Sequence, residues 1–556
     1  MATAVNNFFL NKIVQLKKNT PVDVDDAIQE LDNFLDDKNI PDEGFELKEL
    51  TENYVTKLLK KIKGKKSCGL DWIYGYSLKI VANDLIPEIK ELINITIRNG
   101  SFTPQWKIAK ILPAFKNKGK NCSTTTALQQ MIDTWIQSLD DGKIVAALFL
   151  DLSAGFDVIN HDLLLKKLER YKFTTNTMNW FKSYLTDRHQ AVQVESATSP
   201  LLPVPYGVPQ GSILGPLLFL IFINELPEVV KIKDTEEDTP KDTEADMVIY
   251  ADDNTPFTAD KDPTVLQVKV QEEADIVANW FEKNDMVVSG DKTKLLILTT
   301  AANRSTKISS SNLTFQVSVC GEVKVETQSE KLLGITLNNQ LTWKNHLYGD
   351  DDNIGLIKQL SQRIGMMKQI RKFVNDKVLR TILNGLFNSK LIYGITVYGG
   401  IWGLPGVLNE DPVHSTSISK EDMRKLQVLQ NTAIRLLLRK SRDTPVTTLM
   451  KEANLLSVHQ LVAYHTACQV FKIYQNKEPA YHYSRLFSDS DQPETRSATN
   501  LESRVDIKLS LGRNTFFYQA AHIWTALPYS MKTALSIDCF KKMVKPWIMR
   551  NITIRP

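Results

Sequence analysis

The chain has 556 residues, of which 42% are apolar and 24% charged, with a formal net charge of +4. That length exceeds one ordinary domain and points to two to four, and the apolar fraction excludes a disordered chain. Cys68, Cys122, Cys320, Cys468 and Cys539 lie far apart with no CxxC pattern, which excludes a zinc module and a disulfide framework and points to a reducing compartment. The opening MATAVNNFFLNKIVQLKK lacks the long apolar core of a signal peptide. The most apolar run, Ile213 to Ile223, is too short to span a bilayer, contains Gly215 and Pro216, and reads as a buried helix. The expectation is an intracellular protein of the nucleus or cytoplasm, neither secreted nor membrane-bound.

In chain order, residues from about 20 to 45 are acidic and poorly patterned, and ELKELTENYVTKLLKKIKGKK then follows a helical period. A helix over Thr125–Leu139 leads into the apolar strand VAALFLDL. The amphipathic helix HDLLLKKLERY, a second helix near Asn179–Leu185 and the strand QAVQVE follow. Lys231 to Asp246 is an acidic, Thr-rich insertion without apolar period, expected as a surface loop. Next come the hairpin MVIYADDNTPFTA, the helix VLQVKVQEEADIVANWFEKN and the strand KLLILTT. Beyond residue 354 the pattern is mainly helical. From Ile354 to Lys390 it carries eight basic side chains, among them Lys358, Arg363, Lys368, Arg371 and Lys372, against the single acid Asp376. Such a face suits a phosphate backbone, and on charge alone a solvated helix surface is an equal reading.

Two places put acids at the end of an apolar strand: Asp151 after Leu148-Phe149-Leu150, and Asp252-Asp253 after Val248-Ile249-Tyr250-Ala251. Each alone reads as a turn former. Together they fit a need of phosphoryl transfer, in which two divalent cations roughly 3.5–4 Å apart are held by carboxylates on stiff elements. Between them lies Gly207-Val208-Pro209-Gln210-Gly211-Ser212, whose glycines allow backbone to approach a ligand closely. Taken singly, that segment is a plain loop with Ser212 as a helix cap.

The order of acid, Gln-Gly loop and paired acids is that of polymerase palm motifs. The strings LFLDLSAGFDVINHDLLLKKL, GVPQGSILGPLLF and YADD resemble the reverse transcriptases of non-LTR (LINE-like) retrotransposons, as do SGDKTKLLIL and EKLLGITL. The resemblance extends over most of the chain from about residue 45. It implies a metal-binding triad of Asp151, Asp252 and Asp253, with the Leu152 carbonyl as a further ligand. Phe156 would be the aromatic gate beneath the nucleotide sugar, leaving no room for a ribose 2′-OH; a core aromatic is the competing reading. Gln210 and Gly211 would line the nascent base pair. Lys292 matches a lysine that protonates leaving pyrophosphate, with a plain surface lysine as competitor. Asp157 is expected to fix the turn into the next helix. The implied cofactors are two Mg²⁺ ions (Mn²⁺ as substitute), and the implied partners an RNA template, a DNA primer and deoxynucleoside triphosphates.

A second string, Tyr348-Gly349-Asp350-Asp351, lacks a preceding apolar strand and is expected to be an acidic loop. One departure is larger. Relatives carry a long stretch where this chain passes directly from KNKGK to NCSTTTAL, and no arginine occurs between Arg98 and Arg170. Lys116, Lys118 and Lys120 can meet a phosphate as point charges but cannot supply a bidentate fork. An internal deletion in the fingers is therefore expected, and Gly155 stands where the family usually has Ala.

The expected fold is α+β: a right-hand polymerase palm with an antiparallel sheet, truncated fingers, a helical thumb and a C-terminal helical extension. The boundaries are 1–45 for an N-terminal, partly disordered segment, 46–145 for residual fingers, 146–345 for the palm, 346–440 for the basic thumb and 441–556 for the extension. Three functions remain open: an RNA-directed DNA polymerase, an inactive remnant that only binds nucleic acid, and an RNA-dependent RNA polymerase, against which Phe156 speaks.

Overall fold

A computed structural model describes residues 2–17, 23–36, 38, 40–61, 77, 80–111, 123–194, 197–230, 246–250, 253–311, 313–400, 418–487 and 515–552. The chain begins with α1 (Ala2–Leu16) and α2 (Val24–Asp36). The acidic stretch expected to be without pattern is thus a helix over much of its length. Ala27, Ile28 and Leu31, at helical spacing, are buried and hold an otherwise charged helix on the core.

After two further helices, Glu52–Lys61 and Ala82–Arg98, come β1 (Ile108–Ile111), α3 (Thr124–Asp140), β2 (Ile144–Asp151) and α4 (His161–Arg170). A Ser123–Thr126 capping box starts α3, and the Asn160 side chain caps α4. Then follow α5 (Thr175–Leu185), β3 (His189–Val194), α6 (Leu214–Phe222), β4 (Asp246–Tyr250) and β5 (Asp253–Asp260). Helix α7 (Pro263–Lys283), with Asp262 as cap and Pro263 in the first turn, precedes β6 (Lys294–Leu298). The strands end with β7 (Gln316–Val319), β8 (Glu322–Thr327), β9 (Ser329–Leu332) and β10 (Ile335–Asn338). Beyond β10 the described residues are mainly helical, including α8 (Leu356–Ile370), α9 (Lys420–Leu438), α10 (Val458–Asn476) and α11 (Ile537–Asn551).

Six strands form one sheet in the order β4-β5-β2-β6-β8-β7, antiparallel except for the β6–β8 pair. This mixed α/β arrangement around a mainly antiparallel sheet fits a polymerase palm-type fold. A smaller sheet pairs β1 in parallel with β3. The large sheet divides two apolar cores, and β2 feeds both. Val145, Ala147 and Phe149 face one core; Ile144, Ala146, Leu148 and Leu150 face the other. That is why β2 is an unbroken apolar run rather than an alternating one.

The first core extends from Leu128 on α3 to Ile552. Its seam with the C-terminal helices is polar. Asp133, buried on α3, accepts hydrogen bonds from Arg485 Nε and the Tyr481 hydroxyl, both at 3.1 Å. Gln129 Nε2 donates to Thr396 Oγ1 at 2.9 Å and to Gln469 Oε1 at 3.3 Å. Helix α3, expected among the fingers, is therefore packed with the C-terminal helices in one core. In the second core, fully buried Lys167 of α4 donates to the Phe222 carbonyl at 2.8 Å and pairs with fully buried Glu225, which ties α4 to the end of α6.

Among the described residues no helix is long and apolar enough to cross a membrane. Helix α6, expected to be buried, is so on one side only: Leu218, Phe219 and Phe222 are covered, while Leu217, Leu220 and the preceding Ile213 are exposed. The insertion before β4 lies outside the described residues, apart from Asp246 itself.

Glu273 on α7 is buried without a well-formed hydrogen bond to either carboxylate oxygen. Burial raises its pKa well above the usual range, the negative charge of Asp246 adds to this, and the Phe257 backbone amide offsets it only in part. A carboxyl raised in this way stabilises the fold below its unfolded pKa, and that contribution is lost as pH rises through the folded value. Glu273→Gln is thus expected to be more stable than wild type near pH 8 by about 1–3 kcal/mol, with the gain vanishing toward about pH 4.5. Urea unfolding across that range measures it.

Candidate active site

Residues Tyr250 and Asp253 are paired in the β4–β5 ladder, and Ala251 and Asp252, between them in sequence, lie outside the described residues. The β2–β5 register then sets Asp151 directly opposite Asp253. Opposed residues of an antiparallel pair share a face, with Cβ atoms about 4.5–5.5 Å apart. Two carboxylates from segments a hundred residues apart are therefore neighbours at the open end of the sheet. Asp151 is half-buried and Asp253 exposed. Like charges so placed destabilise a ladder unless a cation sits between or beside them.

Lys292 supplies such a cation, its Nζ lying 2.7 Å from Asp151 Oδ2. Lys292 closes a short 3₁₀ turn, Gly290–Lys292, and the backbone before that turn pairs with the end of β2. The Ser289 amide donates to the Asp151 carbonyl and the Ser153 amide to the Val287 carbonyl, both at 2.8 Å. Leu152 sits inside this bridge opposite Val288. Because successive carbonyls alternate in direction, that of Leu152 is turned away from the bridge and toward the β5 side. Its side chain is buried.

Past Leu152 the chain turns tightly, with Ala154 in the left-handed region and the Asp157 amide donating to the Ala154 carbonyl at 2.7 Å. Gly155 is packed so that an added methyl would meet Leu152 and Phe219 at 3.3 Å, the local reason for glycine here. Phe156 is half-buried and stacked on Phe219 of α6, with centroids 4.4 Å apart at 23°. The segment 207–208 is laid against this turn. The Gly207 amide donates to the Ile159 carbonyl and the Val208 amide to the Phe156 carbonyl, both at 2.8 Å. His161 Nε2 donates to the Gly207 carbonyl at 2.7 Å, and burial lowers the His161 pKa, in keeping with a neutral ring.

Gln210 and Gly211 are exposed beyond that contact. Gln210 Nε2 lies 2.8 Å from both oxygens of Asp157, which thereby holds the glutamine as well as fixing the turn. His161 and Ser289 fall within the family-like strings but had no role assigned from them, and Val287 and Val288 had no sequence signal. They are a helix residue and a connecting segment whose role appears only in three dimensions.

Of the basic side chains expected to bind nucleic acid, Lys358, Lys368 and Lys372 are exposed, and Arg363 and Arg371 are half-buried. Arg363 donates to the Leu386 carbonyl, so part of its reach is spent within the protein. Lys372 lies 5.3 Å from the ring of Phe373, which is 79% exposed. Of the Tyr348–Asp351 string, Tyr348 ends a short helix, Lys344–Tyr348, and Gly349 to Asp351 form the expected loop. Gly349 has a φ of +96°, and Asp350 accepts bonds from the Asn353 amide at 2.8 Å and the Ser329 hydroxyl at 2.9 Å.

Residues 105–337 match the family model described as Reverse transcriptase (RNA-dependent DNA polymerase). Over those residues the chain is similar to the reverse transcriptase family. It is 25% identical over 477 residues to the probable RNA-directed DNA polymerase from transposon BS of Drosophila melanogaster, covering 76% of this chain and 48% of that protein. It is 26% identical over 319 residues to the RNA-directed DNA polymerase from mobile element jockey of the same species, covering 57% and 32%. The chain thus spans about half or less of the curated relatives it matches. Both relatives are described as RNA-directed DNA polymerases of mobile elements, and the chain is similar to them over these lengths. A telomerase structure from Candida tropicalis in complex with the TWJ fragment of telomeric RNA gives a TM-score of 0.33 at 12% identity, covering 92% of this chain and 62% of that one. That likeness is too loose to bear on fold or function.

The site depends on close backbone approach at Gly207. Its φ is +80°, and a Cβ there would lie 2.6 Å from backbone atoms of Asp157. Gly211, at φ +85°, has open space around it. Gly211→Ala is therefore expected to cost about 1–2 kcal/mol, the left-handed strain alone. Gly207→Ala should cost at least about 3 kcal/mol, because strain and clash combine. Denaturant unfolding of the two variants side by side checks the difference.

Proposed function

We propose that the chain is an RNA-directed DNA polymerase that transfers deoxynucleotides to a primer 3′-OH. The observation that carries this reading is the register pairing of Asp151 with Asp253, two adjacent carboxylates at the end of a stiff, buried strand pair. The donor set suits a hard divalent cation such as Mg²⁺, with Asp252 of the hairpin loop as third carboxylate and the Leu152 carbonyl as further ligand. Such ions, when bound, supply activation of the attacking hydroxyl and charge stabilisation at the leaving pyrophosphate.

The remaining roles belong to the chain's own side chains. Phe156, kept in place by Phe219, excludes a 2′-OH beneath the sugar. Gln210, held by Asp157, and the unhindered Gly211 backbone border the nascent base pair. Lys292 is a largely exposed ammonium whose long stem can carry it from Asp151 to a phosphate oxygen, where it delivers a proton. The basic helical region with Lys358, Arg363, Lys368, Arg371 and Lys372 serves as a thumb that tracks template–primer phosphates without regard to sequence, and Phe373 offers a ring on which an unpaired base can stack. RNA template, DNA primer and deoxynucleoside triphosphates are the partners in this reading.

A second reading, a remnant that binds nucleic acid without copying it, is favoured by one observation. The passage from KNKGK to NCSTTTAL leaves no arginine between Arg98 and Arg170 for the incoming triphosphate, consistent with fingers shortened by deletion. Residues 112–122, which contain that junction, lie outside the described residues.

Extension of a DNA primer on an RNA template, with dNTPs or NTPs, separates the readings. Wild type should incorporate dNTPs, and Asp252→Ala and Asp253→Asn should each lose at least about a hundredfold in rate. Binding of template–primer with no incorporation by wild type would support the remnant. Phe156→Ala should raise NTP use relative to dNTP use by about tenfold or more, as loss of a steric exclusion requires. Lys368→Ala and Lys372→Ala should weaken template–primer binding on every sequence and each lower the salt slope by about one.

A further inference from the structure

Lys17, just past the end of α1, is a lysine taken largely out of water, with side-chain exposure of only 8%. It does not arrive there by chance packing. Helix α1 is laid across the β1–β3 sheet by Asn6, which is fully buried and fully engaged. The Asn6 amide donates to Ser199 Oγ at 2.9 Å and the Pro200 carbonyl at 3.2 Å, and its oxygen accepts from Gln190 Nε2 at 2.9 Å. A helix pinned in this way delivers its last turn to one place.

At that place the ammonium meets Asp285. Nζ donates to the carboxylate at 2.5 Å and to the same residue's carbonyl at 3.0 Å, and lies 5.0 Å from the ring of Tyr206. Asn160 Nδ2 donates to the same carboxylate oxygen of Asp285 at 3.4 Å. Each of these partners is an anchor of a segment that builds the site. Asp285, in the left-handed region after α7, starts the strip Met286–Ser289 that pairs with Asp151 and Ser153 and leads to Lys292. Asn160 closes the turn carrying Phe156 and Asp157. Tyr206 precedes Gly207, whose amide is bonded to Ile159 and which leads to Gln210.

We propose that Lys17 is a positioning residue of the active site, one ammonium that fixes the segments bearing Asp151 and Lys292, Phe156 and Asp157, and Gln210 relative to one another. The chemistry supports a lysine in this role. A compact charge with three donors can serve a carboxylate and a carbonyl at once, and the neighbouring ring face lowers the cost of its desolvation. A methylene chain of the same length would fill the space but leave Asp285 as a half-buried carboxylate without its counter-charge.

The catalytic consequence rests on the polymerase reading, and the test separates the two. In the full chain, Lys17→Met should speed amide exchange at Ser153 and Ser289 by about tenfold or more, the loss expected for a charge-assisted hydrogen bond, with global unfolding shifted far less. Asp285→Asn should reproduce the effect and Lys17→Arg should largely reverse it. Where wild type incorporates dNTPs, Lys17→Met should lower kcat by about tenfold, with KM for dNTP and template–primer affinity within about twofold of wild type. Unchanged exchange at Ser153 and Ser289 in Lys17→Met would overturn the proposal, as would a loss of turnover that merely follows the fraction unfolded. If Lys17→Met does not fold, Asp285→Asn decides by the same exchange measurement. A wild type that incorporates nothing counts against the polymerase reading and leaves the exchange result to judge Lys17.

Discussion

Two negative charges facing each other across a β-ladder are the constraint around which this structure is organised. The Asp151–Asp253 pairing opposes the stability of the very strands that present it, so those strands must be held by everything else. Strand β2 is buried on both faces, its ladders to β5 and β6 run along its length, and Trp135 packs edge-on against Phe149 and Phe257 one and two pairs behind the acids' face. Rigidity behind the site allows two like charges to remain adjacent at its edge, where a cation can reach them.

The rest of the site follows from how neighbouring segments attach to that strand end. The strip after α7 bonds to Asp151 and Ser153 on one side and brings Lys292 over the first carboxylate. The turn after Leu152 places Phe156 on Phe219, and Gly207 lies against that turn so closely that no side chain fits. Gln210 is then within reach of Asp157. Backbone bonding sets the placement, and side chains refine it. Lys17 and Asp285 lie beneath these junctions, where one ion pair touches what the strands alone do not join. On the opposite side of the sheet, the contacts of Gln129 and Asp133 with the C-terminal helices make the region beyond residue 440 part of the support for β2.

Much of this was legible in the order of residues. The apolar run before Asp151 could be read because both faces of β2 are buried, and the β4–β5 pair because two strand-forming runs lie close together in sequence. The family motifs singled out Gln210 and Phe156, and the structure brings Gln210 onto Asp157 and Phe156 onto Phe219. What was not legible has a common cause: it depends on partners far apart in sequence. Lys17 and Asp285 are separated by 268 positions, and Gln129 and Gln469 by 340. No periodicity reports such pairs. Helix α2 escaped notice because its stripe of Ala27, Ile28 and Leu31 is narrow among acidic residues. The exposure of Ile213, Leu217 and Leu220 was missed because uniform apolarity says nothing about which side of a helix is covered.

Joint action of Asp151 and Asp253 on one cation is what the polymerase chemistry requires of this site, and direct metal binding tests it without any need for turnover. Titration of the free protein with Mn²⁺, followed by electron paramagnetic resonance, should show binding that is weakened by about tenfold or more in either Asp151→Asn or Asp253→Asn, with the double variant little worse than each single one. Full wild-type affinity in both single variants would mean that the two carboxylates share no ion, and would contradict a metal centre built on their pairing.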